Sequence, residues 1–430
     1  MKQYYPALDE TVLHTTLPNG LNIVIVPRPG FEKKIAYFAT NFGAIHTEFS
    51  FRGESHRVPA GVAHFLEHKL FELPDRDVNA EFAARGANVN AFTGYDMTAY
   101  YFSCTQHFPE NLRLLLEFVS TGYFEEESIR REVGIIDQEI DMNVDSPDSR
   151  VFEALMEAMY PGHPIRVPIL GSHESIRRIT QEVLQLCHDA FYTPENMILC
   201  IVGDVDEDAV SALALEVLGT HRRESGEKLR PWQETQQITS PAPLHMEVSM
   251  PSFQMGFLAA PIGTGENAVR REIIGDLAAE ALFGESSPLY LSLYEKGIID
   301  ASFGGGFESI DGCAFLTCGG DSNDPQAIQN ALLQQVQILL AQGIDQQDLL
   351  RMKRSALGRR IRDLDSFDST AYRICAYHML QYPYFQFLEL YPQITSQEIL
   401  DFLRQVIRSD GCGLSVVYPI AKNTQKEDAL

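Results

Sequence analysis

The second half of this 430-residue chain repeats the first, and that duplication narrows the folds open to it. Ile179-Thr180-Gln181-Glu182-Val183-Leu184 is matched by Ile394-Thr395-Ser396-Gln397-Glu398-Ile399-Leu400. In each half a helical pattern follows and then a strand pattern, Met197 to Gly203 in one and Gly413 to Tyr418 in the other. Ser128 to Asp141 echoes Leu349 to Arg362, and both read as helix. Ala63 to Glu72 echoes Gly275 to Gly284 through Leu70-Phe71 and Leu282-Phe283. Between the halves, His221 to Lys228 is charged, and Gln233 to Pro243 is polar with two prolines. The expected organisation is therefore a first domain over 1–222, a linker over 223–243 and a homologous second domain over 244–430. Trp232 falls in that linker and reads as an anchor for it.

Within the first half, His64, Glu67 and His68 are spaced H-x-x-E-H. On a helix, residues three and four apart share a face, so the three side chains converge. Val62, Phe65, Leu66, Leu70 and Phe71 are apolar enough to bury the other faces. Two imidazoles one turn apart can grip one zinc ion, and the glutamate between them can work on a water at the metal. The plainer alternative is a helix with two satisfied, half-buried histidines. A catalytic zinc needs a third protein ligand. The expected helix from Glu125 to Asn143 carries Glu132, Asp137 and Glu139. Glu132 and Glu139 are two turns apart on one face, so one could bind metal while the other holds a ligating histidine. A solvated acidic face is the competing reading. In the repeat register, His64, Glu67 and His68 fall on Asp276, Ala279 and Glu280, and Glu139 falls on Arg360. Arginine cannot ligate a cation, so only the first half is expected to hold metal.

Composition excludes other classes. A net charge of −25 argues against nucleic acid and anionic membrane as partners. No apolar run is long enough to span a bilayer, and Met1 to Pro6 lacks the apolar core of a signal peptide. Seven irregularly spaced cysteines without a C-x-x-C pair read as reduced thiols of a cytoplasmic protein. Gly263-Thr264-Gly265 lacks the parallel-sheet unit of a dinucleotide site, and no G-x-S-x-G occurs.

Taken together, His64-Phe65-Leu66-Glu67-His68, Asn90-Ala91-Phe92-Thr93 and Arg131-Glu132-Val133 leading to Glu139 resemble the pitrilysin/insulinase family, in its bacterial processing-protease-like branch. The likeness continues through Tyr192-Thr193-Pro194-Glu195-Asn196-Met197 to Val202-Gly203-Asp204. It implies an α+β fold of two homologous halves, each a mostly antiparallel sheet backed by helices, enclosing a chamber. It implies zinc held by His64, His68 and Glu139, with Glu67 as general base and Glu132 beside it in the catalytic set. The peptide substrate would pair with the strand through Asn90, Ala91 and Phe92. One departure stands out. Active members carry an arginine and a tyrosine in the second half, where this chain has Tyr294 and Asp300. Either a zinc-less paralogue supplies that pair or the activity is weak, and a dimer is expected, homodimeric or heterodimeric with such a paralogue. The expected activity is a zinc endopeptidase acting on unfolded peptides or extended segments. The alternative is a non-catalytic binding or assembly subunit that keeps the fold.

Overall fold

The computed structural model describes residues 1–229, 238–239, 241–408 and 411–420. Trp232 and the middle of the expected linker, 230–237 and 240, lie outside them. The first half is built on a seven-stranded sheet. Its strands are β1 (Lys2–Tyr5), β2 (Glu10–Thr16), β3 (Asn22–Pro27), β4 (Lys34–Thr40), β5 (Asn88–Thr93), β6 (Thr98–Cys104) and β7 (Met197–Gly203). They lie in the order β1-β2-β3-β7-β4-β6-β5. The second half carries β8 (Leu244–Met246), β9 (Ser252–Ala259), β10 (Gly304–Ile310), β11 (Cys313–Asp321) and β12 (Cys412–Pro419), in the order β8-β12-β9-β11-β10.

These orders are one topology used twice. β3-β7-β4-β6-β5 matches β8-β12-β9-β11-β10 strand for strand. In both runs the first pair is parallel and the remaining pairs are antiparallel. The repeated Ile-Thr has a local cause. Thr180 caps the helix Gln181–Phe191 by accepting from Val183 N–H, and Thr395 caps Ser396–Val406 in a capping box with Glu398.

Six further helices position the site: α1 (Val62–Leu70), α2 (Glu126–Val144), α3 (Pro147–Met159), α4 (Glu266–Phe283), α5 (Gln346–Asp363) and α6 (Phe367–Met379). α1 packs on α2 in the first half, and α4 packs on α5 in the second. The halves also exchange helices. α3 leaves the first half to lie on β9 and β12, and α6 leaves the second to lie on β4 and β7. Gly256 on β9 makes room for α3, because a Cβ there would meet Met159 Sδ at 2.4 Å. Tyr37 of β4 donates a 2.6 Å hydrogen bond to Asp368 of α6. One apolar core accordingly runs from the second half into the first, through Tyr37, Ala39, Ile198 and Cys200.

The start of the expected linker is structured. Glu227–Lys228 pairs antiparallel with Glu48–Phe51, which also pairs with Glu54–Arg57. No helix among the described residues is long and apolar enough to cross a membrane.

Candidate metal centre

α1 is a short helix fixed by what it buries. Val62, Ala63, Phe65, Leu66 and Leu70 are all buried. Phe65, Leu66 and Leu70 each contribute about 1.5–3 kcal/mol of transfer free energy. The chain enters α1 through Gly61, whose φ of 89° lies in the left-handed region. With the apolar faces committed to the core, His64, Glu67 and His68 share the remaining stripe. The two imidazole centroids lie 4.6 Å apart.

α2 supplies the carboxylates. Glu139 Oε2 lies 3.5 Å from His64 Nε2 and 3.7 Å from His68 Nε2. Each of the three residues offers one ligand atom, and these atoms all fall within 4.8 Å of one another. The separations are too long for hydrogen bonds and suit a shared cation. Among the described residues, Glu139 Oε2 is also buried without a hydrogen-bond partner. An orphaned carboxylate oxygen facing two imidazole nitrogens fits a metal ion and is costly without one. Two turns of α2 nearer its start, buried Glu132 accepts a 2.8 Å hydrogen bond from His68 Nδ1. That bond fixes the ring so that Nε2 faces Glu139. Glu132 thus reaches the centre through His68.

Burial, helped by the neighbouring His68, pushes the His64 pKa down to about 3 and keeps this imidazole neutral. Burial also opposes charge on His68. There the Glu132 hydrogen bond and the nearby carboxylates win and raise the pKa. Burial raises the Glu67 carboxyl, partly offset by the hydrogen bond that Thr93 Oγ1 donates to Glu67 Oε2 at 2.5 Å. A carboxyl lifted in this way is better matched to proton transfer near neutrality.

Thr93 ends β5, the edge strand of the sheet. Gly94 N–H bonds Met97 O, so even-numbered residues of β5 pair with β6 and odd ones face the open edge. Ala91 N–H points to that edge and, among the described residues, is met by its neighbour's side chain, Asn90 Oδ1, at 2.9 Å. Phe92 turns to the opposite face of the sheet, where its ring meets Tyr101 and Tyr372. Of the three expected substrate contacts, Ala91 shares the face of Thr93 and Glu67, whereas Asn90 and Phe92 project to the other.

The matching place in the second half is filled by a side chain. Arg360 Nη2 lies 2.8 Å from Glu272 and 2.9 Å from Asp276, and Nη1 donates to Tyr377 at 2.5 Å. The guanidinium lies 5.6 and 5.8 Å from the ring centroids of Phe387 and Tyr391. Glu280 pairs with Arg359 at 2.9 Å. Tyr294 is half exposed and stacks on Tyr290, and Asp300 accepts from the backbone and hydroxyl of Ser302. Three residues near the first-half centre carry little sequence signal. Thr93 could have been found from strand alternation beside Glu67. Lys69 and Ser128, described below, look like ordinary surface residues until the helices are packed.

The chain is similar to known proteins along nearly its whole length. The family described as Insulinase (Peptidase family M16) matches residues 54–173, and that described as Peptidase M16 inactive domain matches residues 178–356. An uncharacterized zinc protease, YmfH, of Bacillus subtilis (strain 168) is 36% identical over 425 residues, covering 96% of this chain and 98% of that protein. The crystal structure of an M16-like peptidase from Alicyclobacillus acidocaldarius superposes with a TM-score of 0.90 at 32% identity, covering 96% of this chain and 99% of that one. A protease from Helicobacter pylori shares the fold, with a TM-score of 0.80 at 18% identity over 95% of this chain and 99% of that one. With a duplicated α+β topology and relatives along nearly its whole length, the chain belongs to the insulinase family of peptidases, family M16.

Proposed function

We propose that this protein is a zinc-dependent endopeptidase that cleaves unfolded peptides or extended polypeptide segments. The observation that carries the reading is the orphaned Glu139 Oε2 facing two imidazole nitrogens, with Glu67 on the same helix and an open strand edge beside it. His64, His68 and Glu139 would hold the ion, and Glu132 orients His68. Zinc, when bound, polarises the scissile carbonyl and lowers the pKa of water. Glu67 takes the proton from the attacking water and delivers it to the leaving amine, so the carbonyl gains an oxygen and the amine a proton. Thr93 holds the Glu67 carboxylate in place for both transfers. An extended substrate adds to the odd-numbered side of β5, where Ala91 N–H exchanges the Asn90 side chain for a substrate carbonyl. Seven unpaired cysteines, six of them buried, suit a reducing, cytoplasmic setting.

Tyr294 and Asp300 cannot supply a cation and a phenol for the developing oxyanion. The reading therefore includes a dimer, in the first place a heterodimer with a zinc-less paralogue. Peptidase rates of the chain alone and mixed with such a paralogue are expected to differ, and equal rates argue for a homodimer. Glu67→Gln tests the chemistry. Zinc content is expected to stay at the wild-type level while hydrolysis of an unstructured peptide falls by about 10²–10⁴. Undiminished hydrolysis in that variant refutes Glu67 as the base.

A further inference from the structure

Lys69 directly follows the ligand His68, and its side chain is completely buried. Its ammonium lies 2.5 Å from Glu72 Oε2, just past the end of α1, and donates at 2.5 Å to Ser128 Oγ in the first turn of α2. Ser128 is itself buried and donates on to Glu72, closing a three-membered knot. Burying a lysine is expensive, and an apolar chain of the same length would fill the space without that cost. What the ammonium adds is direction. It must reach two fixed oxygens, whereas an apolar contact between helices can slide.

The knot ties the end of α1 to the start of α2, the two helices that carry the candidate ligands. Ser128 and Glu132 are one turn apart, and Glu139 lies two further turns along the same face. The lever from knot to ligand is about 16 Å at the rise of an α-helix. Resting on the zinc reading above, we propose that Lys69 is a positioning residue. With Glu72 and Ser128 it sets the register of α2 against α1, so that Glu139 meets His64 and His68, and it thereby governs metal affinity. It touches neither metal nor substrate.

The full chain is prepared free of metal as wild type, Lys69→Met, Ser128→Ala, Ser128→Thr and Glu72→Gln. Zinc dissociation constants are measured by competition with a chromophoric chelator. Cobalt absorption spectra report ligand geometry, and thermal melting of the metal-free forms reports folding. Lys69→Met is expected to weaken zinc binding ten-fold or more and to change the cobalt bands, the size usual for residues that orient ligands. Its metal-free melting temperature is expected to change little, because the Glu72 side chain left behind is 41% exposed and can be hydrated while the apolar chain spares a buried charge. Ser128→Ala and Glu72→Gln should weaken zinc binding in the same direction, and Ser128→Thr, which keeps the hydroxyl, should restore it. Wild-type affinity and an unchanged cobalt spectrum in Lys69→Met overturn the proposal. Should that variant not fold, wild-type affinity in both Ser128→Ala and Glu72→Gln does so instead. A wild-type chain that binds no zinc overturns the metal reading itself, whereas zinc bound equally by all forms overturns only the role of Lys69.

Discussion

Arg360 and the proposed metal answer the same electrostatic need in two ways. Each half gathers carboxylates at the junction of its two corresponding helices. In the second half, a guanidinium carried by the chain neutralises Glu272 and Asp276. Burial still lifts the Asp276 carboxyl to about 6 against the pull of Arg360. Arg360→Ala removes the guanidinium paired with these acids and leaves Asp276 only the more distant pull of Arg373. It is expected to destabilise the fold by about 3–5 kcal/mol, readable in urea unfolding at neutral pH. At this scale, His64-x-x-Glu67-His68 was legible because helical spacing alone makes the residues neighbours. The correspondence of Glu139 with Arg360 was legible through the repeat. The Glu132–His68 bond spans 64 positions and required the packing of α1 on α2. The burial of Lys69 was not legible, since lysine in sequence reads as surface.

α1 depends on how the chain enters it. Gly61 has no side chain to cap the helix, and its value is conformational. A Cβ there would stand 2.5 Å from the Leu170 carbonyl oxygen, and the left-handed backbone costs a non-glycine residue about 1–2 kcal/mol in addition. Gly61→Ala should therefore lower stability by more than that amount, with a fall in melting temperature and weaker zinc retention on dialysis. Element positions followed closely from periodicity. The helix expected over 125–143 is Glu126–Val144, and the strand over 88–93 is Asn88–Thr93. Glu227–Lys228 was hidden among linker residues because its partner strand lies far back along the chain and supplies the pairing that composition does not signal.

The two halves share one apolar core because each covers the other's sheet with a helix. His163 sits buried at that junction, just past the end of α3, where Tyr160 donates to Ala314 of β11. Burial holds the His163 pKa down at about 4. A histidine whose folded pKa is depressed stays neutral in the native state, while the unfolded chain takes up a proton below about 6.5. The stability tied to its neutral form is complete above pH 6.5 and is lost as pH falls toward 4. From pH 7 to 5 the loss from this group is roughly 1–2 kcal/mol. Urea unfolding of metal-free protein at pH 7, 6 and 5 should show a shallower decline in His163→Gln than in wild type.

By itself the sequence determined the duplication, the H-x-x-E-H spacing on α1, the place of Arg360 opposite Glu139 in the repeat and most element positions. These rest on periodicities of two and 3.6 residues and on a repeat that can be read along the chain. Only the tertiary structure decided which carboxylate faces both histidines, which backbone groups of β5 stay open, that the halves exchange helices and that a lysine is locked beside the candidate ligands. Each of those is a contact between residues remote in sequence. Such contacts are fixed by how buried faces pack, which no local pattern records.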